Sequence, residues 1–494
     1  MWSIFVTIFL KVIKTPIAFI LCNAAVWLLL NLIAFPVLDP YGDMVEAFAF
    51  TPNWEWGTFK HPPLSGWVAH LWFLLFPHNA AFAYLLCAFN LFLAMWGVMN
   101  MARLWVADDL LQIVLILLSF TLPFSTLAFK FNANSVLLPI WPWIVVFFEK
   151  GIRSGRVRDA VLLGLFSTLG MLGKYYTGIL LSSLFVAALL TKDGRRWLLS
   201  IHPWIALTVF LLSMLPHILW FFQAGGATLS YVGRKASSNV DVKHFITFLI
   251  SPVLYAGLSF SIFLWFSDVN LSAIKNCRNI LNISKEKRLF WLALSPLGLT
   301  LFFAATGYVK LALHWAIPLS FIYPLFWVAN LEYFNESKYK LLVKSVVFYW
   351  FFMIILSVMY LIWQDLSGDD RFYKNDERIV SEFLRISRES GFDNIAWVSG
   401  SWPEVAIIPF YSGVDIVAIP ALPDSLPAGT SRVEGWERKH GAILCVFADV
   451  TCRAQAKSWL LSHQRDGFEH IISAKKEGPF SWNSKSTQYS AYFF

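Results

Sequence analysis

Charge is what this chain has least of. Asp, Glu, Lys and Arg make up 14% of its 494 residues, roughly half the share of an ordinary soluble protein. That scarcity, with 57% apolar residues, excludes a large soluble enzyme. The chain also lacks a Gly-rich phosphate loop, which removes the usual nucleotide-binding signature. No basic run is interleaved with exposed aromatics, so the net charge of +8 is not a nucleic-acid signal. Its five cysteines contain no CxxC pair of the metal-binding kind. Cys22 and Cys87 lie in apolar runs and Cys277 in a basic loop, while Cys445 and Cys452 lie near the end of the chain. A disulfide between the last two requires an oxidising compartment, and spacing alone does not establish it. No small-residue cleavage site precedes the first apolar run, which is expected to be an uncleaved span.

What is abundant is long apolar sequence rich in Trp (24) and Phe (46), as expected for lipid-facing helices with aromatic belts. Runs long enough or nearly long enough to cross a bilayer occupy residues 15–35, 81–101, 110–129, 135–148, 159–173, 176–191, 203–222, 244–266, 289–308, 311–331 and 343–363. These predict a polytopic α-helical membrane protein of about eleven spans. Several runs are short, and 159–191 also reads as one overlong helix.

The distribution of Lys and Arg favours eleven. With the N-terminus inside, one side collects eighteen, from Lys11 and Lys14 through Arg103 and the 150–158, 192–196 and 275–288 loops to Lys338, Lys340 and Lys344. The other side collects only Lys60, Lys130, Lys174, Arg234, Lys235, Lys243 and Lys310. An odd count puts the polar C-terminal part outside, with the first long loop, 36–80. Residues 1–363 thus form a membrane domain and 364–494 a soluble one. In the latter, strand-like NIAWVSG, VDIVAIP and AILCVFA alternate with helical ERIVSEFLRISRES and CRAQAKSWLLSHQ. That pattern predicts a small parallel-sheet α/β domain.

Positive charge on the disfavoured side calls for an anionic ligand. The first outer loop carries Asp43 and Glu46, three apart and on one face if helical, followed by Lys60 and His61. Next comes LSGWVAHLWFLLF, too short to span and read as an interfacial helix. Carboxylates able to take a proton, and cations able to neutralise a phosphate, suit chemistry on a lipid-linked phosphate. Solvated loop charge is the competing reading.

The pattern Asp43-x-x-Glu46, Trp56-Gly57, Lys60-His61-Pro62-Pro63-Leu64 and Trp67 resembles the first outer loop of the GT-C glycosyltransferases. The similarity is greatest to the branch holding the aminoarabinose transferase of lipid A, the protein O-mannosyltransferases and the bacterial family 39 enzymes. Lys130–Ser135 (KFNANS), Leu172-Gly173-Lys174-Tyr175 and His314-Trp315 with Pro318 add to the resemblance, which covers residues 36–324 in patches. Where many members have adjacent Asp-Glu, this chain has Asp43-Met44.

The resemblance implies a GT-C fold and an inverting transferase that takes a hexose or pentose from a polyprenyl (undecaprenyl) phosphate. The acceptor would be an extracytoplasmic lipopolysaccharide, lipid or protein, at a bacterial inner membrane. It implies Asp43 as base and Glu46 as its assistant, as a contact to the acceptor or, with Asp43, as ligand to a divalent Mg or Mn, on which members differ. Lys60 and His61 would contact the donor, with Lys174 and Tyr175 nearby; Arg234, Lys235 and His314 are further substrate-binding candidates. Lys174 at a helix end also reads as a snorkelling lysine, and His217 as a hydrogen-bonded intramembrane histidine. A flippase of lipid-linked sugars is the alternative class. Against it, no inverted repeat is visible, and the ionisable residues gather at one face instead of the midplane.

Overall fold

Helices occupy every one of the long apolar runs, but they differ in kind. The structure, a computed structural model, describes residues 15–35, 37–38, 42–228, 233, 241–267, 284–307, 311–329, 331, 336–367, 375–430, 434–475 and 486–494. Among these, six helices are long and apolar enough to cross a membrane: Pro16–Ala34, Ala80–Ala102, His202–Gln223, Val242–Phe266, Lys287–Ala305 and Ser337–Ser367. Thr15 and Asn79 cap the first two, each side-chain oxygen accepting a backbone N–H of the first turn.

The remaining runs are shorter or broken. Thr177–Leu189 turns by 111° into Lys192–Leu198. The 110–129 run is helical only over Asp108–Ser119 before the tight turn Leu122–Phe124. The 311–331 run is a 3-10 segment, Leu313–Phe321, followed by the short helix Tyr323–Val328. Pro123, Pro318 and Pro324 sit at those breaks, where a missing N–H and a ring clash stop regular helix. Leu64–Leu75 is the expected short apolar helix.

Helices 202–223, 242–266 and 337–367 turn Leu212, Phe222, Val253, Trp265, Phe348 and Met359 outward. Such an apolar exterior suits lipid and not water. Inside, Asn23 accepts from Trp350 Nε1 and donates to Met95 Sδ, tying three helices together. The protein is therefore a multi-pass membrane protein.

The C-terminal sheet has five strands: β1 Ile395–Gly400, β2 Val417–Ala418, β3 His440–Val446, β4 Phe468–Lys475 and β5 Ser486–Phe493. Their order is β2-β1-β3-β5-β4. β1 pairs in parallel with β2 and β3, as the βα alternation predicts, whereas β5 is antiparallel to both β3 and β4. The sheet is mixed, which corrects the all-parallel expectation. The β4–β5 hairpin carries too many polar residues, FEHIISAK and STQYSAYF, to read as buried strand, because β4 forms an edge. Cys445 and Cys452 form a disulfide. Helices Asp376–Glu389 and Val450–Ser462 cover the sheet.

Candidate functional site

Asp43 opens the helix Asp43–Ala49 and Glu46 lies one turn along it, so the three-residue spacing does put both on one face. Their surroundings differ. Glu46 is 6% exposed and takes Lys60 Nζ on both oxygens, at 2.7 and 2.8 Å. Its Oε1 also accepts the indole N–H of Trp402, from the C-terminal domain, at 2.8 Å. Asp43 keeps 28% of its side chain exposed, with Lys130 Nζ 3.5 Å from Oδ2 and Asn132 Nδ2 donating to the same oxygen at 3.1 Å. Glu46 is thus a locked ion pair, and Asp43 a solvent-reachable carboxylate beside a cation.

The turn that aims Lys60 is knotted on Thr58. Its hydroxyl donates to the His61 carbonyl and accepts the backbone N–H of Lys60 and His61. His61 sets its ring edge-on to Phe50 at 6.0 Å. Upstream, Gly57 is required by packing: a Cβ there would lie 2.2 Å from the Trp220 ring. The Trp56 carbonyl accepts from His217 Nδ1, and Trp67 Nε1 donates to Glu55 O at 3.0 Å.

Lys174 follows the helix Val157–Gly173. It is 9% exposed, donates to Asn134 Oδ1, and lies 5.0 Å from the Trp315 ring centre. Tyr175 hydroxyl is 2.7 Å from His217 Nε2. With Nδ1 donating to Trp56 O, Nε2 is the acceptor and Tyr175 the donor. His217 is therefore a hydrogen-bonded histidine that ties the Trp56-Gly57 turn to Tyr175.

The structure thus brings Asp43 and Lys174 to the 130–135 turn, pairs Glu46 with Lys60 one helical turn from Asp43, and joins Tyr175 to the first loop through His217. His314 is exposed on the segment carrying Trp315. Arg234 and Lys235 lie outside the described residues. Four contributors were not predicted as site residues: Lys130, Asn132, Asn134 and Trp402. Asn132 and Asn134 hold Asp43 and Lys174 respectively; Asn132 Oδ1 also accepts Asn134 and Ser135 N–H. Their signal was present as two closely spaced amides just ahead of the apolar run that begins at Val136. Trp402 had none, being 356 residues from Glu46 in sequence.

Among the described residues no group of three or more His, Cys, Asp or Glu could hold a metal. With Glu46 engaged by Lys60 and Trp402, the Asp43–Glu46 pair does not offer a metal ligand set. Beside the site, a cavity of about 550 Å³ is lined almost wholly by apolar side chains, from Leu64, Val68 and Trp72 to Val136, Ile140 and Trp143. On the helix Leu64–Leu75, the His70 ring lies tilted against Phe48 with centres 4.4 Å apart, and burial pushes its imidazole down to about 4.

Residues 60–220 match the family model described as dolichyl-phosphate-mannose-protein mannosyltransferase. No curated protein sequence gives a significant match. Among solved structures the chain is similar to ArnT from Cupriavidus metallidurans bound to undecaprenyl phosphate. The TM-score is 0.61 and the identity 12%, covering 95% of this chain and 96% of that one. The apo form of the same protein gives a TM-score of 0.57 at 10% identity, with the same coverage. The GT-C resemblance read from the first outer loop is thereby supported twice, by the family match over residues 60–220 and by an ArnT-like fold over nearly the whole chain.

Proposed function

We propose that the protein is an inverting glycosyltransferase that moves a hexose or pentose from a polyprenyl phosphate to an acceptor hydroxyl or phosphate outside the cytoplasm. One observation carries this reading. A reachable carboxylate, Asp43, and a buried ammonium, Lys174, are held by neighbouring amides of one turn, beside an apolar cavity that begins at Leu64 and Val136. A lipid phosphate needs that combination: a cation for its head and a dry groove for its chain.

Asp43 takes the proton from the acceptor as that oxygen bonds to the anomeric carbon, on the face opposite the phosphate. The bond from carbon to phosphate oxygen breaks, and its electron pair leaves with the phosphate. Lys174 and Lys60, with Arg234 or Lys235, offset the added negative charge. Residues 1–363 form the catalytic membrane domain and 364–494 a soluble domain on the same outer face. The Cys445–Cys452 disulfide fits an oxidising compartment, as expected outside a bacterial inner membrane. The dolichyl-phosphate-mannose family matched by residues 60–220 and the undecaprenyl phosphate bound to ArnT favour a polyprenyl-phosphate donor.

The test is purified protein in nanodiscs with a panel of undecaprenyl-phosphate sugars, scoring loss of sugar from the lipid. Donor consumption by the parent and its collapse in Asp43→Asn are expected. Undiminished turnover in that variant removes Asp43 as base, and lipid scrambling without donor consumption would favour a flippase.

A further inference from the structure

The soluble domain does more than stand beside the membrane site: it supplies one of the groups around the buried carboxylate. Trp402 leaves the end of β1 in a loop held from beneath. Ser401 N–H donates to Leu444 O, and Ser401 Oγ donates to Asp449 Oδ2 while accepting Val446 N–H. Asp449 also caps the helix Val450–Ser462 through Cys452 N–H. So anchored, the loop meets the Asp43–Ala49 helix at two points. Pro403 packs on Gly42, whose φ is +73° and where a Cβ would come within 2.7 Å of the proline ring. Trp402 enters between Phe50 and Phe59, with ring centres 6.1 and 6.2 Å away, and donates its N–H to Glu46 Oε1.

Glu46 Oε1 is the oxygen that also receives Lys60 Nζ at 2.7 Å. A buried carboxylate with a fixed second donor cannot rotate freely, so its ammonium partner is fixed too. We infer that Trp402 is a positioning residue: the C-terminal domain, through its indole N–H, orients the Glu46–Lys60 pair that faces the donor phosphate. This rests on the reading of Lys60 as a donor contact. It makes the soluble domain part of the site and not only a cover over it.

The experiment measures undecaprenyl phosphate binding and donor consumption by full-length protein in nanodiscs, for the parent, Trp402→Phe, Glu46→Ala and the double variant. Phe keeps an aromatic ring between Phe50 and Phe59 and removes the N–H together with part of the indole. Binding about tenfold weaker is expected in Trp402→Phe, the scale of one hydrogen bond to a charged group. Any fall in melting temperature should be small, and Trp402→Phe should weaken binding no further once Glu46 is Ala. A purely structural role predicts the reverse: a lower melting temperature and losses that add. Unchanged binding in Trp402→Phe, or full additivity, overturns the inference while leaving the transferase reading standing. A parent that binds no undecaprenyl phosphate overturns both.

Discussion

Two acid–cation clusters sit at opposite ends of the helix Leu137–Ser154, and they are built differently. At its C-terminal end Glu149 is wholly buried. Arg288 binds both its oxygens at 2.7 and 2.9 Å, Arg153 adds a contact at 2.8 Å, and Asp193 lies 3.5 Å from Arg288. At its N-terminal end Glu46 pairs with Lys60 and Asp43 with Lys130, amides of the 130–135 turn hold Asp43 and Lys174, an indole reaches Glu46, and Asp43 stays partly exposed. The residue types are nearly the same. A saturated, dry ion pair clamps helices together, whereas a carboxylate with solvent access and an ammonium held only by a neutral amide oxygen, Asn134 Oδ1 on Lys174, retain capacity for a ligand. Composition does not separate the two; the number and kind of partners does.

That contrast breaks most sharply at Asp43. Asp43→Asn is expected to cut donor turnover by about 10³-fold, the range of general-base catalysis, with thermal unfolding in detergent almost unchanged. At the other end the balance reverses. Glu149→Ala leaves Arg288 buried without its main partner and should destabilise the fold by about 3–5 kcal/mol, read as a lowered unfolding midpoint. Protein that stays folded should keep its turnover number. If Glu149→Ala instead loses turnover at full stability, the division into clamp and site is wrong.

Lys174→Gln tests the gentler side of the outer cluster. The amide can still reach Asn134 but carries no charge, so undecaprenyl phosphate binding should weaken by about tenfold. Equal affinity at low and high salt would mark Lys174 as a helix-end lysine without a phosphate role. The smallest effect concerns pH. With the His70 imidazole pushed down to about 4 by burial, the unfolded chain binds a proton near 6.5 that the folded protein refuses. Stability from this site is full above about 6.5 and is lost as pH falls toward 4. His70→Leu should flatten that part of the stability profile, measured as melting temperature against pH.

The outer loop was the most legible part of the chain. Asp43, Glu46, Lys60 and the Pro-Pro turn lie within two dozen residues, so their order already constrains how they meet. The C-terminal helices and β1 and β3 were visible through their apolar spacing. The β4–β5 hairpin was not, because an edge strand and its polar partner share the composition of a loop. Helix breaks were legible only in part. Proline marks where a helix is weakened, but whether it stops or merely bends depends on neighbours that can satisfy the freed carbonyls.

By itself the sequence determined that this chain lives in a membrane, which of its stretches are apolar, and which loop gathers acid, cation and aromatic residues. Those features depend on hydropathy and spacing over a few turns. Only the tertiary structure decided that Glu46 is locked and Asp43 reachable, that Asn132 and Asn134 bridge the acid to Lys174, and that Trp402 closes the group. These contacts join residues 89 and 356 positions apart. Hydrogen bonds act over about 3 Å in space, and no local pattern in the chain encodes that proximity.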